Sequence, residues 1–312
     1  MPGPDVCVVG EINPDLILYG LPKEIKPEQE TLVPGFRLTL GSSSAIFAHN
    51  LAVLGTHVGM VAKIGDDPFG KMAAGWLEAG GVDVTHVSVA KATATGLSVI
   101  LTHPHERFIL TYPGTMFELS YRDLDFDYIL SARHLHLSSF FLHRALRPQI
   151  PELFRRAKAQ GLTTSLDTND DPEDRWGDDL QQVLKFVDIF FPNEREAKKI
   201  SRTEDLTQAI AKLSQTLPLV VVKLGPQGAL ARKSAQEWRA PQLPMKVIDV
   251  VGAGDSFDAG FIHRFLEGAS VEECLKFANI AGAFSTTREG GTEAFRDRQE
   301  VTRFFREQSQ RK

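Results

Sequence analysis

The chain has 312 residues, of which 42% are hydrophobic and 24% charged, with a formal net charge of −5 and a pI near 6.0. This balance is typical of a globular protein with a large core, and the acidic charge argues against broad electrostatic binding of nucleic acid. No apolar run is long enough for a membrane span, so neither nucleic acid nor a membrane is an expected partner.

The two cysteines indicate the cellular compartment. Cys7 lies in an apolar, strand-like run and Cys274 lies in a helical pattern, and the two do not form a C-x-x-C pair. Buried reduced thiols are expected from these surroundings, which favours a cytoplasmic protein.

Strands and helices are predicted to alternate along most of the chain. Continuous apolar runs predict strands at 5–10, 57–65, 134–139, 162–167, 186–193 and 219–225. Apolar residues at helical spacing predict helices at 42–55, 68–81, 144–160, 178–185, 194–200, 204–216, 254–267, 270–287 and 297–308. This alternation predicts a mostly parallel sheet that is covered by helices on both faces.

Two segments do not fit the alternation, and we call them the lid. Residues 11–40 contain much Pro, Glu and Lys and little helical pattern, and 95–112 predict two strands around a turn at 103–107. We interpret 11–40 and 92–115 as a small β-sheet inserted over the mouth of the main domain. Residues 1–312 are then a single domain.

Polar residues and glycines come directly after several of the apolar runs. Asp15 follows the first strand, Asp167 and Asn193 end later ones, Gly225 follows 219–224, and Gly252 follows the β-branched run 246–251. Parallel α/β sheets bind ligands at the carboxyl ends of their strands. The sequence therefore predicts a ligand site at that edge.

The segment from Gly252 to Asp255 has the composition of an anion site. Phe257, Phe261 and Phe265 recur every four residues, so a buried helix is predicted to begin here. Its first N–H groups have no intrahelical partner and favour a bound phosphoryl group. Asp255 in the first turn is placed to accept a proton from an attacking hydroxyl. From this fragment alone, an ordinary tight turn with an Asp in the first turn is an equal alternative.

The surrounding sequence, DVVGAGDSFDAGF, resembles the D-T-x-G-A-G-D motif of the PfkB family, the ribokinase-like carbohydrate kinases. Val250 stands where that family often has Thr. The segments GEINPDLI, 41–55, NERE and TREGG follow in the family's order, so the resemblance covers nearly the whole chain. It implies a three-layer α/β/α Rossmann-like fold with a β-lid. It also implies transfer of the ATP γ-phosphate to a hydroxyl, usually a primary one, of a sugar or sugar derivative.

The resemblance also implies roles for the phosphoryl-transfer residues. Asp255 would be the catalytic base, and Gly252, Ala253 and Gly254 would form the anion hole. The NERE segment resembles the family's N-x-x-E motif, in which Asn193 and Glu196 would organise Mg²⁺ and phosphate, Glu196 through water. Spacing alone describes a helix-capping box at 193–196 equally well.

On the sugar side, the resemblance assigns substrate contacts to Asn13, Asp15, Gly41 and Ser42, with Ser42 in place of a second glycine. Ile46 stands where the family motif has an Asn that contacts the sugar. This departure is expected to remove an amide from the pocket and to make one wall apolar. The departure makes the identity of the substrate uncertain, but it does not change the expected type of reaction.

Two further substrate contacts depend on weaker patterns. Asp167 and Asn169 resemble the D-x-N of sugar-acid and fructose-type kinases. Arg107 in the lid hairpin would meet an acidic or phosphorylated substrate, although a solvated Arg is the ordinary alternative at such a turn.

Around the nucleotide, the resemblance places Lys223 near phosphate and Gly225 and Gly228 beside ATP. Asn279 matches a position near the adenine. The backbone carbonyls of Asp249 and Val251 match a loop that binds a monovalent cation such as K⁺ in many relatives.

The expected enzyme is therefore an ATP- and Mg²⁺-dependent sugar kinase whose exposed lid edges also suit a homodimer. A nucleoside kinase of the same fold stays open, because Ile46 and Phe47 could form a base-binding wall. A catalytically silent nucleotide- or sugar-binding regulator is an alternative of another class. A NAD-dependent dehydrogenase is disfavoured, since the first strand is followed by VVGEIN without a G-x-G-x-x-G pattern.

Overall fold

Alternating strands and helices run through the part of the chain that the computed structural model describes, residues 3–103 and 106–310. The strands are β1 (Val6–Val9), β2 (Pro14–Tyr19), β3 (Gly35–Leu40), β4 (Val58–Gly65), β5 (Asp83–Ala90), β6 (Leu97–His103), β7 (Glu106–Tyr112), β8 (His134–Leu137), β9 (Thr163–Leu166), β10 (Ile189–Phe190), β11 (Leu219–Lys223), β12 (Ala229–Lys233) and β13 (Gln236–Ala240). The α-helices are α1 (Ser43–Val53), α2 (Pro68–Ala79), α3 (Phe126–Leu130), α4 (Ile150–Ala159), α5 (Asp178–Leu184), α6 (Glu194–Ser201), α7 (Leu206–Leu213), α8 (Ala253–Leu266), α9 (Val271–Ser285) and α10 (Arg298–Gln310).

The larger of the two sheets has nine strands within these residues, in the order β13-β12-β11-β10-β9-β8-β1-β4-β5. The strands from β11 to β5 pair in parallel, while β12 and β13 extend one edge antiparallel. The predicted, mostly parallel sheet is confirmed. The sequence analysis did not predict β5, β12 or β13. Apolar and polar residues alternate in β5 and β13, which lie at the two sheet edges and are only partly buried.

Helices cover both faces of this sheet, as predicted. One buried apolar cluster includes side chains of α4, α5, α6 and α7, and the other includes side chains of α1, α2, α8 and α9. Strands β1, β4, β10 and β11 contribute apolar side chains to both faces, which explains why they read as continuous apolar runs, whereas β8 alternates Leu135 and Leu137 with the buried His134 and His136. None of the helices in the described ranges is long and apolar enough to cross a membrane.

The lid forms the predicted small second sheet, in the order β3-β2-β6-β7. β2 pairs antiparallel with β3 and parallel with β6, and β6 and β7 form a hairpin. The predicted turn of that hairpin includes residues 104 and 105, which lie outside the described residues. Asp15, expected simply to follow the first strand of the main sheet, lies within lid strand β2 and aligns with Thr39 and Ser98.

The β-branched run 246–251 forms no strand, and the expectation that Gly252 follows a strand end was wrong. The N–H groups of Ile248 and Asp249 donate to the carbonyl of Thr286 instead of to a sheet neighbour. The Asp249 carboxylate accepts the N–H of Val251 at 3.0 Å and the N–H of Gly290 at 2.9 Å. Val247, Ile248 and Val250 are 50%, 54% and 52% exposed, so their β-branched side chains do not fill a core.

Candidate active site

The carboxyl ends of the parallel strands collect the predicted polar residues at one edge of the main sheet. Asn13 lies beyond β1, Asp167 directly follows β9, and Lys223 ends β11. A bridge between Asn193 and Lys223 extends the pairing of β10 and β11 to this edge. Parallel alignment therefore brings residues that are far apart in sequence into one site.

Asp255 lies in the first turn of α8, and its side chain is buried. Gly252 precedes the helix with φ 72°, a left-handed conformation that suits glycine. Burial raises the pKa of Asp255 to about 7, and the charge of Asp167 adds to the rise, while the Lys223 ammonium and a hydrogen bond with Ser43 act against it. A carboxylate that titrates near neutral pH is suited to general-base chemistry.

The loop at Gly252 touches a second loop at Gly291. A Cβ atom on Gly252 would lie 2.6 Å from the Cα of Gly291 and 3.1 Å from Cγ2 of Ile46. Ile46 is buried against both glycines, since a Cβ on Gly291 would lie 2.5 Å from its Cδ1. The side chain that was expected to line the sugar pocket therefore supports the start of α8. Its contact with a substrate stays a prediction.

Lys223 is held between two buried carboxylates. Its Nζ lies 2.6 Å from Oδ2 of Asp167 and 3.1 Å from Oδ2 of Asp258. Burial acts to lower the pKa of Lys223, but the charges of Asp167, Asp258 and Glu196 raise it above its usual value. A Cβ on Gly254 would lie 3.5 Å from Nζ, so the ammonium lies against the first turn of α8.

The sequence analysis did not identify Asp258. Burial raises the pKa of Asp258 well above its ordinary value, although Lys223 lowers it. Asp258 follows Asp255 by three residues in α8, a spacing that places two side chains on neighbouring parts of one helical face. That spacing was the available signal.

Asn193 and Glu196 form the capping box that their spacing describes. The backbone N–H of Asn193 donates to Oε2 of Glu196 at 2.9 Å, and its side-chain amide donates to Oε1 at 2.5 Å. Glu196 is nevertheless buried at the site. Burial and then the charge of Asp167 raise its pKa to about 7. The capping and functional interpretations are therefore compatible.

Asp15 brings a carboxylate from the lid to the site. Its Oδ1 accepts a hydrogen bond from Nδ2 of Asn13 at 3.2 Å. A Cβ on Gly41 would lie 2.0 Å from the same oxygen, so only glycine leaves room for this carboxylate. Burial raises the pKa of Asp15 to about 7, the charge of Asp255 contributes to the rise, and hydrogen bonds from Asn13 and Ser98 act against it.

Three hydroxyl residues of the lid share the face of Asp15 and were not identified from the sequence. Thr39, Ser98 and Thr111 align with Asp15 across the four strands. The hydroxyls of Ser98 and Thr111 are 3.1 Å apart. This polar row is a suitable lining for a substrate that carries many hydroxyls.

A buried contact between His143 and Glu11 underlies the sugar side and was also missed. Nε2 of His143 lies 3.2 Å from Oε2 of Glu11, which also accepts the hydroxyl of Ser44 at 2.7 Å. Burial alone would raise the pKa of Glu11, but the hydrogen bond and charge of His143 lower it to about 2. Ser42 caps α1 through its hydroxyl, which also donates to the carbonyl of Glu11 at 2.6 Å.

Two predicted substrate contacts have different surroundings. Asn169 lies at the site edge, where its N–H donates to Oδ1 of Asp167 at 3.0 Å and its amide donates to Ser139 at 3.3 Å. Arg107 is exposed and pairs with Thr102 near the far end of the hairpin, four residues along β7 from Thr111. The structure does not bring Arg107 to Asp15.

The predicted nucleotide residues border the other side of Lys223. Gly225 and Gly228 form the turn between β11 and β12. The amide of Asn279 donates to the carbonyls of Ala240 at 2.8 Å and Pro241 at 3.2 Å. Asn279 thus fixes the backbone after β13, and a direct contact with adenine stays a prediction.

Asp249 and Val251 lie in the loop that contacts residues 286–290. The Asp249 carboxylate accepts the hydroxyl of Tyr19 at 3.2 Å in addition to the N–H groups of Val251 and Gly290. This carboxylate therefore joins the lid, the start of α8 and the loop before Gly291. The cation site predicted at the carbonyls of this loop stays a prediction.

Comparison with known proteins gives the same assignment over nearly the whole chain. A family model described as pfkB family carbohydrate kinase matches residues 4–298. The ATP-dependent ribose-1-phosphate kinase of Halopiger xanaduensis is 30% identical over 292 residues, which are 93% of this chain and 94% of that protein.

Solved structures with this fold include complexes with ATP. An E. coli protein described as ribokinase II, in complex with ATP and Mg²⁺, has a TM-score of 0.85 at 26% identity and covers 97% of this chain and 99% of its own. Arabidopsis thaliana ribokinase, complexed with ribose and ATP, has a TM-score of 0.82 at 26% identity and covers 97% of this chain and 98% of its own.

The variant Asp255→Asn is expected to gain stability relative to the unmodified protein as pH rises from about 4 to about 7. Because the pKa of Asp255 is raised from 3.8 to about 7, the folded protein keeps a proton that the unfolded chain loses, so ionisation in this window destabilises the fold. Asparagine does not titrate. Burial lowers the pKa values of His134 and His136, which makes the fold more stable as pH rises. Both proteins contain these histidines, so their contribution cancels in the difference between the two free energies of unfolding.

Urea unfolding at several pH values across this range measures the difference in free energy. A difference that stays constant with pH would contradict the raised pKa of Asp255.

Proposed function

The chain belongs to the pfkB family of carbohydrate kinases, and we propose that Asp255 is the base that deprotonates the acceptor hydroxyl. The observation that carries this role is the burial of Asp255 in the first turn of α8, directly after Gly252, Ala253 and Gly254. The chain is an ATP-dependent sugar kinase, in line with sequence relatives that are named ribokinase, deoxyribokinase and ribose-1-phosphate kinase. Neither a nucleoside kinase nor a silent regulator is favoured by these relatives.

In the proposed reaction, the sugar oxygen attacks the γ-phosphorus while Asp255 accepts the hydroxyl proton. The bond from the γ-phosphorus to the β,γ-bridging oxygen breaks, and its electron pair leaves with ADP. The N–H groups at the start of α8, of which that of Ala253 also makes a 3.3 Å contact with the carbonyl of Val250, would favour the negative charge of the transferring group. Lys223, fixed against Gly254, adds a positive charge at the same place. Positioning and charge supply most of the catalysis in such transfers.

The residues present fit a magnesium ion that keeps much of its water. Within residues 3–103 and 106–310, no group of three or more His, Cys, Asp and Glu side chains is arranged to hold a metal. An ion held mainly by ATP phosphates and water needs no such group, and Glu196 is the carboxylate we assign to it through water, with Asn193 as its orienting partner. The bound ion would neutralise phosphate charge. We retain a K⁺ site at the carbonyls of Asp249 and Val251 as part of the proposal.

The acceptor is proposed to be an uncharged sugar that contacts Asn13, Asp15, Gly41 and Asn169. Asp15 adds an acidic group to this side of the site, and its hydrogen-bond partners, Asn13 and Ser98, carry no charge. The nearby ammonium of Lys223 is already paired with two carboxylates. A carboxylate or phosphate on the substrate would therefore meet charge of its own sign, whereas hydroxyls can donate to these oxygens.

We extend the proposal to a single kinase domain over residues 1–312, with lid segments at 11–40 and 92–115, that works in the cytoplasm. Both cysteines are buried and free, which suits a reducing compartment. Closure of the lid over the sugar would exclude water from the phosphoryl group.

The lid also carries an apolar outer face, which we propose as the contact with a second copy of this chain. Side chains on this face form two rows across all four strands: Phe36, Leu18, Leu101 and Phe108, and then Leu38, Leu16, Val99 and Leu110. Phe36 is 70% exposed and Leu110 is 60% exposed. A contiguous apolar sheet face with open edges is typical of a self-complementary interface.

Replacement of Asp255 by Asn is expected to lower kcat by at least about a thousandfold, since the proton acceptor is lost, and to leave ATP affinity within about threefold. ADP release and ATP binding by calorimetry measure the two effects. Asp127→Asn, an exposed Asp in the first turn of α3, is the matched control and should keep full activity. A fully active Asp255→Asn enzyme would overturn the assignment of the base.

Neutral sugars are expected to give kcat/KM at least about tenfold above that of anionic ones, because like charges at the acceptor side weaken binding. The panel is ribose, 2-deoxyribose, fructose, ribose 1-phosphate, 2-keto-3-deoxygluconate and adenosine, assayed with MgATP. Preferred turnover of ribose 1-phosphate or the sugar acid would contradict an uncharged acceptor.

Leu110→Asp is expected to convert a dimer into a monomer, because a carboxylate on the outer face of the lid cannot be buried unpaired. Light scattering coupled to gel filtration measures the mass of each species. Val89→Asp, at a similarly exposed apolar position on β5, is the control and should leave the dimer intact. A monomeric unmodified protein, or dissociation by the control alone, would refute the lid interface.

A further inference from the structure

Asn50 lies on α1 and is 0% exposed, yet its side chain contacts the first turn of α8 and the loop at Gly291 in the phosphoryl-transfer site. Its Nδ2 donates to the carbonyl of Gly291 at 3.0 Å and to the hydroxyl of Ser256 at 2.9 Å. These contacts join residues more than two hundred positions apart in sequence. No role for Asn50 follows from the sequence motifs described above.

The hydrogen bonds leave one possible orientation for the Asn50 amide. The carbonyl of Gly291 can only accept, so the atom that faces it must be the NH₂ group. Oδ1 then faces Nδ1 of His49 at 2.8 Å and must accept from it. Burial lowers the pKa of His49 to about 4, so His49 is neutral at pH 7 and carries its proton on Nδ1. Every polar atom of the Asn50 side chain thus has a partner.

The second partner of Asn50 extends its influence to the anion hole. The hydroxyl of Ser256 accepts from Asn50 and donates to the carbonyl of Gly252 at 2.7 Å. Because that hydroxyl has a single hydrogen, accepting from Asn50 leaves it to donate to Gly252. Asn50 therefore fixes Gly291 directly and fixes Gly252 through the hydroxyl of Ser256.

Gly252 and Gly291 touch each other at the point that Asn50 bridges. Ile46, one helical turn before Asn50 on α1, packs against both glycines. The helix thus holds the two loops with an apolar contact at Ile46 and a hydrogen-bonded contact at Asn50. The first turn of α8, whose N–H groups have no acceptor within the helix, begins at this junction.

We propose that Asn50 is a positioning residue for phosphoryl transfer, which sets the placement of the 252–254 amides relative to the loop that ends at Gly291. This inference rests on the proposed anion-hole role of those amides. Asn50 touches neither nucleotide nor sugar in this arrangement. Its loss should therefore affect the stabilisation of the transferring phosphoryl group much more than the binding of ground-state ATP.

Three variants separate the parts of this arrangement. Asn50→Ala removes both contacts, Asn50→Asp is nearly isosteric but presents an acceptor to the carbonyl of Gly291, and Ser256→Ala removes only the branch to Gly252. Leu213→Ala, at the buried last position of α7, is the control for lost stability in a part of the core away from the site.

Turnover is measured with MgATP and the panel sugar that gives the highest kcat/KM. The expected result for both Asn50 variants is a fall in kcat of about tenfold to a hundredfold, with KM for ATP within about threefold. Ser256→Ala should show a smaller fall in kcat than either Asn50 variant. The fall in kcat of the double variant Asn50→Ala/Ser256→Ala should be smaller than the product of the falls in the two single variants, because both residues act through the same hydrogen bonds to Gly252. Leu213→Ala should keep its kcat at a temperature where it is folded.

A transition-state mimic supplies a readout that a purely structural role would not change. Affinity for MgADP with aluminium fluoride should fall in Asn50→Ala by about the same factor as kcat, while affinity for MgATP stays nearly constant. Equal losses for both ligands, or a kcat within about twofold of the unmodified enzyme, would overturn the proposal. If Asp255→Asn is inactive in the same assay, either of these two results refutes only the role of Asn50. If Asp255→Asn is active, the proposed mechanism itself is refuted.

Discussion

One buried ammonium group makes the rest of the site possible. Lys223 joins the end of β11 to Asp167 beyond β9 and to Asp258 on α8, and its charge also acts on Glu196 and Asp255. Four carboxyl groups so close together in a buried region would repel one another strongly without a cation among them. The ammonium allows sugar-side, nucleotide-side and catalytic residues to share one edge of the sheet.

The remaining excess of acidic groups is consistent with the chemistry of a kinase. Asp15, Glu196 and Asp255 have pKa values raised to about 7, chiefly by burial. Such groups lie near the balance between their protonated and ionised forms at neutral pH, so a carboxylate can both take up and release a proton there. A site of this kind also favours the entry of ATP together with a divalent cation rather than as a bare anion.

Close backbone contacts set the geometry around these charges. Gly41 leaves room for the carboxylate of Asp15, and Gly252 packs against Gly291 with Ile46 behind both. The motif comparison identified Gly41, Gly252 and Ile46 but interpreted Ile46 as part of a pocket wall. Its actual neighbours lie more than two hundred residues away in sequence, and no local pattern reveals such a contact. Asn50 and Ser256 escaped notice for the same reason, since each reads locally as an ordinary helical residue.

The sequence by itself determined the alternation of strands and helices, the glycine-rich start of α8, the first-turn Asp255 and the separate lid, because these features depend on local periodicity and on residue types within short segments. The tertiary structure alone decided that 246–251 is a loop, that Asp258 and Asp167 share Lys223, and that Arg107 lies away from Asp15. Each of these depends on which distant backbone groups and charges are available as partners, and that availability exists only once the chain has folded.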